Sequence, residues 1–260
     1  MIDLNHNNGW SFSFNGAAPA TLASTVNELI DEGLQRKDAA QPPRAYVSAS
    51  GIGRECLRQV QFDYLAVPKD LGRGLDGPTL RRFLSGHVLE PVVAEMLRGA
   101  GFTLVTAKSD RSQYGFASVI IDGIARWRGH IDGVLVAGPE VINYPALWEN
   151  KAMGRKTWNK VRKHGVALAN PVYASQIATY QAYLELTEHP ALFTALNRDT
   201  FELHVELVRF DPSLAQRLSD RAASVIANSE AQALMPRVAA SREHFECRQC
   251  GWQDRCWRLP

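Results

Sequence analysis

Cysteine is scarce in this 260-residue chain, with four in all: Cys56, Cys247, Cys250 and Cys256. That excludes a disulfide-stapled scaffold. Long apolar runs are missing, and none approaches the ~20 residues of a membrane-spanning helix. Met1 to Gly16 shows no basic cluster followed by an apolar stretch, so the expectation is no secretory leader and a reducing, cytoplasmic setting. There, spaced cysteines more often hold a metal or cluster than pair with one another. Excess charge of one sign is lacking too. Lys and Arg number 29 against 27 Asp and Glu, a net +2, so a nucleic-acid partner has to be argued from a local patch. No repeat is visible, and no Gly-x4-Gly-Lys-Ser/Thr loop, so any nucleotide-driven motor is a separate protein. The chain is 45% hydrophobic and 22% charged, as folded globular proteins are.

Residues 1–45 read as a partly flexible tail. Asn, Gly and Ala are common up to Ala20, a helical pattern spans Thr21 to Leu34, and Pro42-Pro43 breaks the chain. Residues 46–260 read as the main domain. Ser48 to Ser50 are expected to cap a helix bearing Cys56, Val60 and Tyr64. A second helix is expected from Thr79 to Gly99, with Phe83, Leu84, Val88, Val92 and Leu97 on its apolar side and a kink at Pro91. Strands are expected at 102–107, 116–121, 130–136, 146–149 and 201–210, and helices at 171–186 and 212–234. The sum is an α/β (α+β) fold, a mixed central sheet flanked by helices.

One predicted hairpin carries unusual chemistry. Its first strand has Asp132, and its second has Glu149, Asn150 and Lys151. Strand residues two apart share a face, so Glu149 and Lys151 lie together and Asp132 can join them. Facing carboxylates repel unless a cation sits between them. Mg²⁺ suits such oxygen ligands, and a lysine beside it can hold an attacking water or offset phosphate charge. On its own a Glu-x-Lys is ordinarily an ion pair. Three further features accompany this one. His87 and Glu90 share a helical face and either can complete a metal shell; Gln176 and Tyr180 lie four apart; and the cysteines are spaced 56, then 247-x2-250-x5-256.

In this ordered set, from about Ser50 to Cys256, the chain resembles the PD-(D/E)xK nuclease superfamily. Within it, the likeness is to the RecB-like branch and the CRISPR-associated and AddB-type nucleases that carry a 4Fe-4S cluster. The resemblance implies a restriction-endonuclease-like fold and a Mg²⁺- or Mn²⁺-dependent deoxyribonuclease, an exonuclease in recombination, repair or DNA processing. It implies Asp132, Glu149, Lys151, Gln176 and Tyr180 as catalytic groups. The metal would be held by Glu90 or His87, Asp132, Glu149 and the Asn150 carbonyl. Glu90-Pro91 departs from the RecB-like histidine and is similar to lambda-exonuclease-like members, which favours Glu90 over His87. A 4Fe-4S cluster on Cys56, Cys247, Cys250 and Cys256 would join the N- and C-terminal parts. Spacing alone leaves zinc open, and the resemblance favours iron.

Between Lys151 and His164 lie six Lys or Arg residues and no acid. Arg155, Lys156, Lys160, Arg162 and Lys163 surround Trp158, a combination that suits phosphate neutralisation with base stacking. Arg126, Trp127 and Arg128 can extend that surface. DNA, as single strands or ends, is the expected partner, with a helicase or recombination protein beside it. The rival reading is a non-catalytic iron–sulphur or zinc DNA-binding accessory subunit.

Overall fold

The computed structural model describes residues 19–259; the sequence reading of residues 1–18 as tail lies outside them. The chain divides into two compact units, one of 1–41 with 75–82 and a second of 42–74 with 83–260. In the first, helix α1 (Pro19–Ala39) extends beyond the expected Leu34. Asp31 pairs with Arg81, and the Gln35 amide donates to the Leu75 carbonyl at 3.1 Å.

The second unit holds the remaining elements. In chain order they are β1 (Val47–Ser48), α2 (Leu57–Tyr64), α3 (Gly77–Gly99, whose first residues belong to the other unit), β2 (Thr103–Val105), β3 (Gly115–Ile121), β4 (Ile124–His130), β5 (Gly133–Ala137), β6 (Ala146–Met153), α4 (Arg155–Ala169), α5 (Pro171–Tyr183), β7 (Ala191–Asn197), β8 (Leu203–Val208), α6 (Pro212–Glu230), α7 (Phe245–Arg248) and α8 (Gln253–Arg258). Five strands form a mixed sheet in the order β2-β5-β6-β7-β8, in which β6 and β7 run parallel. The expected hairpin is its β5–β6 pair, with Gly133 opposite Trp148. A smaller sheet orders as β1-β4-β3. No described helix is long and apolar enough to cross a membrane.

Local chemistry sets the helix starts. Asn170 Oδ1 accepts from the Tyr173 N–H and Asp211 Oδ1 from the Leu214 N–H, each before a proline that opens the helix. Both are favoured N-caps, and proline loses nothing at that position. Gly165 interrupts α4 at φ 74°, and a β-carbon there would meet Glu206 at 2.9 Å. Glu206 instead accepts the Val166 N–H.

The large sheet separates two cores. On one face Val93, Ala94 and Leu97 of α3 cover Leu104, Leu135, Trp148, Leu192 and Leu196. On the other, Leu147, Phe193 and Ala195 meet Trp158 and Val161 of α4, Ile177 and Tyr180 of α5, and Leu218 and Val225 of α6.

Several expectations need correction. Ser48 lies in β1, and α2 begins only after Cys56, which occupies the N-cap position without a side-chain cap bond. Phe83, Leu84, Val88 and Val92 are exposed; of the expected apolar side Leu97 is buried as expected, and Val93 and Ala94 join it on the inward stripe. The basic stretch is a helix. Trp158 is 3% exposed and donates its indole N–H to the Ala195 carbonyl at 2.8 Å, so it is a core residue with no face for a base. Trp127 is equally buried.

Trp158→Ala is therefore expected to cost about 3–5 kcal/mol of stability, as large buried aromatics do. Urea unfolding of the purified variant checks this, and an unchanged midpoint would return Trp158 to the surface.

Candidate active site

The polar centre of the molecule lies where β4, β5, β6, α3 and α5 come together. Strand alternation on β6 sends Trp148 and Asn150 to the α3 face and Leu147, Glu149 and Lys151 to the other. Glu149 has no exposure at all and pairs with Lys151 through its Oε1. Its Oε2 is buried without a hydrogen-bond partner. Asp132 precedes β5, and its Oδ2 accepts the Asn150 N–H at 2.7 Å, which fastens the carboxylate to β6.

Electrostatics ties α3 to this group. Glu90 is half-buried, and burial followed by the Asp132 charge pushes its carboxyl up to about 7. Burial and Asp132 likewise push Glu149 up to about 8, with Glu90 adding to the effect. Asp132 is raised by burial, which Lys151 and His87 oppose. Burial alone would lower the Lys151 ammonium, but Glu149 and Asp132 overcome it and raise it, so it stays charged. His87 is exposed on α3.

α5 closes the site from the other side. Gln176 and Tyr180 are both buried, and the Gln176 amide donates to the Tyr180 hydroxyl at 3.1 Å. Burial and the Glu149 charge raise the Tyr180 phenol. Two residues here escaped the sequence reading. Tyr173 lies under Lys151, whose Nζ is 5.4 Å from the ring centroid, a cation–π contact. It sits three before Gln176 and seven before Tyr180, a helical spacing that could have revealed it. Thr194 accepts from the Trp148 indole at 3.0 Å and donates to Asn150 Oδ1 at 2.9 Å. Its strand, β7, showed no alternation to betray it.

Among the described residues no three His, Cys, Asp or Glu side chains close on a single metal point. Mg²⁺ does not need that, since it binds through one or two carboxylates and keeps several waters. The donor set fits such an ion. Glu90, Asp132 and Glu149 are set against one ammonium, leaving two negative charges unmatched, the charge of one divalent cation. The unpartnered Glu149 Oε2 is an available ligand atom.

The cysteines meet elsewhere in the unit. All four are free and line one cavity with Arg58 and Trp257. Arg58 donates to Cys256 Sγ at 3.9 Å and the Trp252 N–H to Cys250 Sγ at 3.4 Å. Burial raises the Cys247 and Cys250 thiols. The four thiols share this cavity, but among the described residues no three of them close on a single metal point. Arg155, Lys156, Lys160, Arg162 and Lys163 are all exposed on α4, and Arg162 lies over the edge of the core at Trp158, 5.4 Å from its ring centroid.

No protein-family model matches this chain, and neither does any curated protein. Among solved structures, the fold is similar to that of SSO0001, with a TM-score of 0.50 and 13% identity over 87% of this chain and 93% of that one. It is similar also to the alkaline exonuclease LHK-Exo from Laribacter hongkongensis, with a TM-score of 0.50 and 16% identity over 77% of this chain and 93% of that one. These likenesses are of fold: a mixed α/β architecture shared with an alkaline exonuclease.

A ligand that binds only the folded state stabilises it, by about 2.7 kcal/mol at a hundred times its Kd. Mn²⁺ or Mg²⁺ is therefore expected to raise the melting temperature of the wild-type protein by a few degrees, and that of Asp132→Asn much less. Equal shifts in both proteins would remove Asp132 from the cation site.

Proposed function

We propose that the chain is a metal-dependent deoxyribonuclease of the PD-(D/E)xK kind, an exonuclease acting on single strands or DNA ends. The observation that carries this reading is the grouping of Asp132, Glu149 and Lys151 on adjoining strand ends, with Glu149 fully buried against the lysine. The fold shared with an alkaline exonuclease supports it.

In this reading Glu90, Asp132, Glu149 and the Asn150 carbonyl hold Mg²⁺ or Mn²⁺. When bound, such an ion would polarise the phosphate and lower the pKa of the attacking water. The protein's own groups do the rest. Lys151 is fixed by Glu149 and by the Tyr173 ring, so one N–H remains to orient the water and stabilise charge on a phosphate oxygen. Gln176 and Tyr180 hold the wall behind Glu149. The exposed cations of α4, which follow β6 directly, take the DNA backbone. Arg155 and Lys156 begin that helix with no acid in its first turn, an unfavourable place for cations in a helix dipole. Asp199 Oδ2 accepts the Arg155 N–H at 2.9 Å and supplies a negative charge at that terminus, which leaves the exposed cations themselves free to face DNA. In the same reading the four cysteines hold a 4Fe-4S cluster in a structural role.

The reading is tested by digesting end-labelled single- and double-stranded DNA with Mg²⁺, with and without EDTA. Cleavage is expected to require the metal. Glu149→Ala and Lys151→Ala are expected to lower it about a thousand-fold while leaving DNA binding in place. Near-normal cleavage by Glu149→Ala would remove this site as the catalytic one. Anaerobically purified protein is expected to contain about four irons and four sulphides per chain, and serine at any of the four cysteines to abolish both. One zinc and no iron would replace the cluster with zinc and leave the nuclease reading standing.

A further inference from the structure

The small sheet carries a charged outer face that the proposed chemistry does not use. Along β4, Trp127 and Gly129 turn inward. Gly129 is packed so closely that a β-carbon would come within 3 Å of Tyr180, Phe116 and Ala49, the nearest at 2.5 Å. By alternation Arg128 and His130 point outward. Arg128 stands opposite Ala117 of β3 and Ser48 of β1, and His130 opposite Gly115, so small residues flank both side chains; burial and the charges of Arg128, Arg44 and Lys108 push the His130 imidazole down, towards its neutral form.

Two loops extend this face. Arg44 and Tyr46 precede β1, and the Arg128 guanidinium lies 5.0 Å from the Tyr46 ring centroid. Lys108 and Tyr114 belong to the connection from β2 to β3, with the Lys108 Nζ 5.9 Å from the Tyr114 centroid. Arg44, Lys108 and His130 are exposed, and both tyrosines are half-buried. Arg128 Nε is buried with no hydrogen-bond partner. One acid shares the loop, Asp110, and Ser112 occupies its Oδ1 through both its N–H and its hydroxyl.

The face leads into the site. Ile131 follows His130 and donates its N–H to the Tyr114 carbonyl at 2.9 Å, and the next residue is Asp132. Cations interleaved with aromatic rings match single-stranded nucleic acid, whose phosphates need neutralising and whose unpaired bases need a surface to stack on. A duplex would leave the rings without a role, because its bases are already stacked.

We propose that the outer face of the β1-β4-β3 sheet is a track for single-stranded DNA, with Arg44, Lys108 and Arg128 on phosphates and Tyr46 and Tyr114 against bases. The track leads the strand to Asp132. That direction rests on the nuclease reading; the binding face does not.

The test is fluorescence anisotropy of a labelled oligothymidylate with the full chain in EDTA, repeated across a range of salt. The combined Arg44→Gln, Lys108→Gln, Arg128→Gln variant is expected to bind at least about ten-fold more weakly, and its plot of log affinity against log salt to be shallower by about two, since each lost phosphate contact removes about 0.7. Tyr114→Ala is expected to lose about ten-fold with the slope unchanged, and Tyr114→Trp to restore binding. Arg128→Lys keeps the charge and is expected to bind as wild type, which separates charge from folding. Wild-type affinity and slope in a folded triple variant would overturn the track. So would an affinity that depends only on Lys156, Lys160 and Lys163, or a wild-type protein that does not bind the oligonucleotide. A wild-type protein that binds through this face yet never cleaves DNA would sink the nuclease reading and leave the track in place.

Discussion

A carboxylate buried in the middle of a sheet has to be neutralised, and most of the site's construction follows from that need at Glu149. An unpaired charge in such a place costs several kcal/mol even after the surroundings relax. Lys151, two residues on and on the same face, supplies the counter-charge. Asp132, pinned to the Asn150 N–H, then adds a second negative charge to the group, and Glu90 adds a third from α3. The site does not balance itself. Both Glu90 and Glu149 are driven towards holding their protons near neutral pH, as carboxylates do when they share too few cations. A fold selected only for stability would replace such a group with apolar side chains. The divalent cation proposed above would supply the missing positive charge.

The parts of this design that were legible in the sequence are those in which period and chemistry coincide. The β5–β6 hairpin announced itself by alternation, and Asp132, Glu149 and Lys151 by being charged where a strand should be burying apolar groups. The rest was hidden for physical reasons. β7 lies between β6 and β8 with both faces covered and every residue buried, so its sequence shows no period of two. Thr194 was invisible with it. α3 scatters its polar residues, among them Arg82, His87, Glu90, Glu95 and Arg98, around the whole circumference, so no single polar face marks the outside, and of the expected stripe only Leu97 is buried. On α4 the charges drew attention to the solvent side, while Trp158 and Val161 record the opposite face.

The C-terminal segment shows how much of the cysteine region is held without a metal. Asp70 accepts from the Asp254 and Arg255 N–H groups at the start of α8. Arg73 reaches the Arg248 carbonyl and Gln253 at 2.9 Å each, and the Trp252 indole donates to Val67 at 2.7 Å. Buried Gln61 fixes Ala233 and Met235. These bonds bring the four thiols to one cavity before any ion arrives. Since burial favours the protonated thiols of Cys247 and Cys250, the cluster proposed above would have to displace protons to enter.

If the proposed nuclease reading holds, the burial of Trp158 also changes how nucleic-acid contact would be divided over the surface. Without that ring, α4 presents cations and no aromatic face among Arg155, Lys156, Lys160, Arg162 and Lys163. A surface of that kind reads phosphates and is indifferent to whether the bases are paired. Contact with unpaired bases has to come from exposed or half-exposed rings next to cations, and Tyr46 with Arg128 and Tyr114 with Lys108 meet that description. The two surfaces are joined to the site from opposite ends of its sequence. The small-sheet face runs into Asp132, and α4 runs out of Lys151. A strand held by both would pass the carboxylates with its bases gripped on one side and only its backbone on the other. On the proposed reading, preference for single strands would reside in the face before Asp132, and general affinity in the helix after Lys151.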